Sequence, residues 1–348
     1  MYGADKVLLE ALAAMPPEFD VEVWLPTDTE YPRHELSSAL AERGIPVRFL
    51  PLAILRRAYM RPSGLPGLAW RFIRSAAALL RARPDLLYVN TAASAAFAPV
   101  GRLLGARVVL HLHEHVAGGT RVVLPFVGAA HRVIAVSTAV VQPLSPRTRA
   151  KTVVVHNGFE LPKPTPLPPF DRGIRVLIAS RWNAWKGHDV LLEAWGRTQR
   201  RDLHLTVLGA PPPSGEAIDV ARLAASSPAG DRIDVVGQTD DIRRYLDATH
   251  VVVVPSTQPD PLPTIAIEAL AAGRYVIGSD LGGLPEILGG VGALTTPGAP
   301  EAWAAVLDGL SEARIRDGAA EARERFDAEF SRQRFAARIA EELWGAVT

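Results

Sequence analysis

The sequence predicts an α/β protein made of two Rossmann-like halves. Three observations carry that prediction. Short, continuously apolar, β-rich runs alternate with helical patterns along all 348 residues. Strands of that kind suit a parallel sheet covered on both faces, and their alternation with helices indicates βα units. The pattern also runs through twice, on either side of a proline-rich break.

In the first half the strand-like runs are VEVWLP (21–26), DLLYVN (85–90), RVVLHLH (107–113), RVIAVS (132–137) and TVVVHN (152–157). Ahead of them, Tyr2-Gly3-Ala4-Asp5 reads as the glycine-bearing first turn of such a domain, and KVLLEALAAM as its helix. The strand that normally feeds this turn is not present in the sequence. The half is therefore expected to expose apolar surface and unpaired ladder groups, a risk to stability and activity. Residues 161–172, LPKPTPLPPFDR, hold five prolines. Proline cannot continue a helix or a central strand, so this stretch reads as a stiff extended linker.

The second half repeats the pattern with RVLIAS (175–180), LHLTVLG (203–209), RIDVVG (232–237), HVVVVPS (250–256) and RYVIGSD (274–280). From about residue 318 the tail is strongly helical and reaches Trp344. The expected organisation is a first domain over 1–160, the linker 161–172, a second domain over 173–330, and a terminal helix over 331–348 packing back on the first domain.

Composition narrows the function classes. A length of 348 residues suits two domains, and 48% hydrophobic residues can fill a core in each. A net charge of +1 gives no argument for nucleic acid. The absence of cysteine excludes disulfides, thiolate nucleophiles and Cys-ligated metals, and suits a reducing cytosol. No apolar run reaches the ~18 residues of a spanning helix, and the start lacks a signal-peptide layout, so a cytoplasmic location is expected. Charge is unevenly placed. Between Glu42 and Asp85 there is no acid, yet nine arginines fall in 43–83. In GLAWRFIRSAAALLRAR, Leu68, Phe72, Ala76 and Leu79 form one helical stripe beside arginines. That pattern suits docking at the inner membrane face or on a phosphorylated lipid acceptor; a plain solvated face is the alternative.

The most informative stretch is Q-P-D-P-L-P-T-I-A-I-E-A-L-A-A-G, at 258–273. Pro263 suits a first helical turn, and Gly273 suits a helix stop. The amides of Thr264 and Ile265 then open the helix and offer an anion site. Thr264 and Glu268 share a face one turn apart, with Asp260 on the same rim. Amides flanked by two carboxylates suit a ligand with phosphate in the middle and hydroxylated sugars at its ends. Arg181, closing a strand, and Lys186, five residues on, can neutralise a diphosphate and stabilise charge on it as a sugar departs. Gly282-Gly283 forms a flexible turn beside the same site. Taken alone, Asp260 is equally well a turn residue; surface charge is the lesser reading of the basic pair.

Together, R-x4-K-G, P-S-x3-D-P-x-P-x4-E-A-x-A-x-G and G-G-x-P-E resemble the retaining family-4 glycosyltransferases. HLHE, HRVIAVS and VHNGFE extend the resemblance through the first half. It implies the GT-B fold, two Rossmann-like domains with a deep cleft between them. It further implies that Asp260 meets the transferred sugar, Glu268 the nucleotide ribose, and Arg181 and Lys186 the diphosphate, with His113 near the sugar. Leu262, Thr264, Ile265 and Gly3 complete the expected donor contacts. No cofactor and no metal is implied. The donor would be a UDP- or GDP-sugar, and the acceptor a sugar, lipid-linked or small-molecule hydroxyl. Asp260 replaces the family's usual Glu, Leu262-Pro263 its common Phe-Gly, and PPPSGE departs from its Gly-x-Gly turn; these leave the donor sugar open. His111, His113 and His115 alternate as metal ligands do on a strand, but no further ligand pair completes a site. The rival readings are a nucleotide-sugar epimerase of related fold and a non-catalytic nucleotide-sugar-binding protein. A Rossmann dehydrogenase is disfavoured, since no G-x-G-x-x-G follows a strand.

Overall fold

A computed structural model describes residues 3–28, 34–55, 59, 61–116, 118–212 and 217–347. The chain divides into two compact units. Unit 1 is Met1–Phe159 with Arg332–Thr348, and unit 2 is Glu160–Ser331.

Unit 1 contains β1 (Val23–Pro26), β2 (Val47–Leu50), β3 (Leu86–Val89), β4 (Arg107–Leu112), β5 (Arg132–Ala135) and β6 (Thr152–Val154). Every pairing is parallel. Among the described residues the strands form two sheets, β1-β2 and β3-β4-β5-β6. Val108 through Leu110 and Leu112 of β4 are fully buried, which is why that strand reads as an unbroken apolar run. The helix Gly3–Ala13 serves both sheets. Its Val7 and Ala11 pack with Val109, Ile134 and the terminal-helix residues Phe335, Ile339 and Leu343. Its Leu8, Leu9 and Leu12 pack with Val23, Leu36 and Leu40. Tyr88 of β3 packs against both groups.

The helix Leu65–Ala82 buries Ser75, Ala78 and Leu79. Its Phe72 ring stacks on Phe97 at 6.0 Å. The stripe Leu68–Phe72–Ala76–Leu79, which the sequence offered to a membrane, therefore lies on the side turned to the protein. The amphipathic pattern was right; the face was not, because it was satisfied by packing.

Unit 2 contains β7 (Ile174–Ala179), β8 (Leu203–Leu208), β9 (Ile233–Gly237), β10 (Val251–Val254), β11 (Tyr275–Ser279) and β12 (Ala293–Thr295). They form one parallel sheet in the order β12-β11-β10-β7-β8-β9. One face buries Val176, Ile178, Val251, Val253 and Ile277 under Trp195 and Trp303, both fully buried. The strand order reverses between β7 and β10. At such a switch point the following loops part and leave a crevice at the carboxyl ends of the strands.

The proline-rich stretch lies along unit 2. Prolines lack N–H groups but keep their carbonyls. His250 Nε2 meets the Pro168 carbonyl at 2.9 Å, and Arg243 donates to those of Pro162 and Lys163. The fully buried Arg274 donates to Thr165 Oγ1 at 2.6 Å. The tail is two helices, Glu312–Glu329 and Arg332–Val347. Between them the chain passes from unit 2 to unit 1, where the Arg332 amide donates to Phe159 O at 3.0 Å. The Trp344 side chain is outside the described residues.

Candidate active site

The loops after β7 and β10 meet at the switch point. Strand β7 stops at Ala179, so Arg181 stands two residues beyond it, on an exposed loop. A 3-10 turn over Ala184–Lys186 leads to Gly187 at φ 73. A Cβ on Gly187 would lie 1.9 Å from the Pro255 carbonyl oxygen, so the Lys-Gly pair admits only glycine there. The loops are tied together again where the Thr257 amide and hydroxyl donate to the Trp185 carbonyl, at 2.8 and 3.2 Å.

This double tie places Lys186 Nζ 2.5 Å from Asp260 Oδ2. The same ammonium lies 4.2 Å from the centre of the Trp185 ring, a cation–π contact. Asp260 is held from behind. Its carbonyl accepts from the Gly283 amide at 2.8 Å. A Cβ on Gly282 would come within 2.5 Å of the Asp260 carbonyl oxygen, and one on Gly283 within 2.2 Å of that of Pro261. The Gly-Gly turn is thus the bed on which the Asp-Pro loop rests, not a flexible neighbour.

Pro263 is the N-cap of the helix Thr264–Ala271 rather than a member of its first turn. The amide of Ala266 bonds back to Pro263 O at 3.1 Å, so those of Thr264 and Ile265 precede the first intrahelical bond. Gly273, at φ 65, follows the helix end as expected of a stop residue. A cavity of about 310 Å³ opens over this N-terminus. Arg181, Lys186, Thr264 and Ile265 line it, together with Ser180, Asn183 and Trp185. Two cations and a helix dipole point one way, toward an anion. Asp260 borders the cavity through its ion pair. Glu268 is half-buried one turn along, and the Leu262 side chain is buried away from the lining.

The sequence reading missed Asn183 and Trp185. An aromatic directly before Lys186 was the available signal for the second. It also missed His188, buried with Nε2 3.4 Å from Ser180 Oγ. Burial, aided by the Lys186 charge, lowers its pKa to about 4, so it is neutral at pH 7.

His113 and Gly3 belong to unit 1. Gly3 is the first residue of its helix. His113 follows β4, with Nε2 3.2 Å from Asn90 Oδ1 and its ring centre 4.1 Å from that of His111. Burial lowers the His113 pKa to about 4 and the His111 pKa well below its ordinary value. Burial also raises the pKa of Tyr88, whose protonated hydroxyl shares a hydrogen bond with His111 Nδ1 at 2.6 Å. With Nε2–H donated to Asn90, His113 keeps Nδ1 as an acceptor, and that atom is buried without a partner among the described residues. No group of three or more His, Asp or Glu side chains among the described residues is placed to hold a metal ion.

A doubly wound parallel sheet thus carries two cations and the first amides of a helix beside a cavity at its switch point, an arrangement suited to an anion. Comparison with known proteins makes this specific. Residues 3–162 match the profile described as Glycosyltransferase Family 4, and residues 173–312 that of Glycosyl transferases group 1. A D-inositol 3-phosphate glycosyltransferase of Mycolicibacterium gilvum is 32% identical over 44% of this chain, but the match spans only 38% of that relative. Among solved structures, HepE of Anabaena in complex with UDP superposes with a TM-score of 0.78 at 22% identity, covering 99% of this chain and 96% of that one. The lipopolysaccharide outer core galactosyltransferase WaaB gives 0.76 at 15% identity, covering 100% and 96%. The chain belongs to the family-4 glycosyltransferases and has the GT-B fold.

Proposed function

We propose that this protein transfers a hexose from a nucleotide diphosphate sugar to an acceptor hydroxyl, with retention of anomeric configuration and without a metal. The observation that carries the reading is the Lys186–Asp260 pair beside a cavity that Lys186, Thr264 and Ile265 line. Arg181, Lys186 and the amides take the diphosphate. They stabilise the charge that grows on it as the glycosidic bond breaks. Asp260 accepts from the sugar hydroxyls, and Glu268 accepts from the ribose. His113, neutral and with Nδ1 unpartnered, is the unit 1 residue assigned to the transferred sugar. The departing phosphate itself takes the acceptor proton. HepE has also been solved with UDP-glucose, which favours a UDP-sugar over a GDP-sugar here. The acceptor is a hydroxyl of a glycan, a lipid-linked sugar or a small glycoside.

The test is a thermal-shift titration of the full chain with UDP, GDP and their glucose, N-acetylglucosamine and mannose conjugates. A ligand at a hundredfold excess over Kd stabilises by about 2.7 kcal/mol. A shift with uridine compounds alone, absent in Lys186→Ala, is the expected result. No shift with either nucleotide class sinks the donor site. A shift followed by sugar isomerisation without transfer to any acceptor assigns an epimerase instead, and an inverted anomeric signal in the product sinks retention.

A further inference from the structure

The tryptophans of unit 2 differ in what surrounds them. Trp195 and Trp303 are fully buried beneath the sheet, and Trp182 packs against the same core. Trp185 stands apart from that core. It is half-buried and lines the cavity at the switch point. An indole beside an anion site fills no core and gains nothing from the anion itself. What it does hold is a cation. Lys186 Nζ lies 4.2 Å from the centre of the Trp185 ring, and its other neighbour is Asp260, 2.5 Å away. An ammonium has three N–H donors. Asp260 takes one, and the ring faces another side. The remainder serves the cavity, which Lys186 lines together with the opening residues of the helix Thr264–Ala271. The turn that carries the ring is pinned by backbone on both sides. The Trp182 amide donates to Ala210 O at 2.9 Å, and the Trp182 carbonyl accepts from the Ile218 amide at 3.0 Å. The Trp185 carbonyl accepts from the amide and hydroxyl of Thr257, and Gly187 is pressed against Pro255. A lysine is a point charge on a flexible four-carbon stem; here a fixed aromatic face takes up that freedom.

We propose that Trp185 is a positioning residue. Its ring face holds the Lys186 ammonium at the cavity, so the lysine meets a nucleotide diphosphate already ordered. The proposal rests on the donor function of the same cavity. It adds that affinity for the diphosphate depends on the π-face of residue 185 and not on its bulk.

The experiment is calorimetric titration of the full chain with UDP and with GDP, the tighter of the two serving as probe. Trp185→Leu should weaken it about tenfold, whereas Trp185→Phe, which keeps a π-face, should lose about threefold or less. Tryptophans bearing one, two and three ring fluorines, placed at 185 alone, keep the shape while draining negative charge from the face. Affinity should fall stepwise along that series while melting without ligand stays that of the parent, which excludes misfolding as the cause. A separate reading needs no nucleotide. The Lys186 side-chain methylene protons should be shifted upfield by the indole ring current in the parent and lose that shift in Trp185→Leu. Parental affinity in Trp185→Leu, equal losses in the Leu and Phe variants, or indifference to fluorination each overturns the proposal. Weakened binding of UDP-glucose with unchanged binding of UDP assigns the ring to stacking on the sugar and overturns it too. A parent that binds nucleotide but lacks the ring-current shift sinks this proposal alone. A parent that shows the shift but binds neither nucleotide sinks the donor function, and the proposal with it.

Discussion

The two units share a plan of parallel strands and covering helices but differ in how tightly their strand-end loops are fixed. Unit 2 has one continuous six-stranded sheet, and its loops lock against each other through backbone. Among the described residues, unit 1 has two sheets bridged by the helix Gly3–Ala13, and the chemistry at its strand ends rests on buried histidines rather than on backbone contacts. Where a site must hold a multiply charged ligand in one pose, positions are set by atoms that do not move. Side chains then add charge to a frame that already exists.

Glycine substitutions test that contrast most severely. At Gly283 the added Cβ would meet the Pro261 carbonyl oxygen at 2.2 Å, so Gly283→Ala must displace the Asp260 loop. A loss of about 4 kcal/mol in unfolding free energy is expected, with donor binding abolished. Gly105 of unit 1 has φ 86, but nothing lies within 4 Å of a Cβ there. Gly105→Ala should cost only the left-handed backbone term, about 1–2 kcal/mol. Urea unfolding of both variants measures the difference; equal costs would mean that the Gly-Gly turn yields and the bed is soft.

The ion pair gives the next largest effect. Lys186→Ala strips Asp260, which is 8% exposed, of the partner 2.5 Å away. Leaving a nearly buried carboxylate unpaired should cost about 3 kcal/mol. Adding Asp260→Asn to Lys186→Ala should restore much of the stability while donor affinity stays lost. Calorimetric melting with nucleotide titration separates the two readouts. Stability unchanged in Lys186→Ala would show that solvent reaches Asp260 and that the pair contributes no more than a surface ion pair.

Much of this was legible in the sequence, and the reasons are physical. Buried apolar strands such as β4 and β10 announce themselves because both faces are covered. The pair R-x4-K-G and D-P-x-P-x4-E announced the site because glycine, proline and carboxylate are costly anywhere else in such a helix and loop. Two short edge strands were harder. Val47–Leu50 and Ala293–Thr295 were missed, since an edge strand of that length carries too few alternations to be told from a loop. The role of Gly282-Gly283 was missed for a different reason. Its tightness comes from atoms of Asp260 and Pro261, some twenty residues distant, and no local pattern reports that approach. The stripe on Leu65–Ala82 was misread because periodicity finds an apolar stripe and cannot say whether it is packed.

The histidines give the smallest effect and separate the units by pH. His113 and His188 are each held near a pKa of about 4 by burial, and His111 lies well below its ordinary value. The unfolded chain titrates histidine near 6.5. A histidine whose folded pKa is depressed contributes its full share above the unfolded value, because both states are then neutral. As pH falls below about 6.5 the unfolded state takes up the proton first, and stability declines until the folded pKa is reached. The window is therefore about 6.5 down to about 4, and by about pH 5 each histidine should have cost about 2 kcal/mol. Hydrogen exchange reads the units separately. His188→Gln should flatten the acid limb of unit 2 alone. His113→Gln should flatten only part of that of unit 1, because His111 still titrates there; the ring contact between them predicts that His111 then shifts upward as the repulsion from a protonated neighbour is removed. An acid limb in unit 1 unaltered by His113→Gln would mean that His113 is hydrated and does not titrate as a buried group. That imidazole would then take up its proton near the ordinary histidine value instead of resisting it.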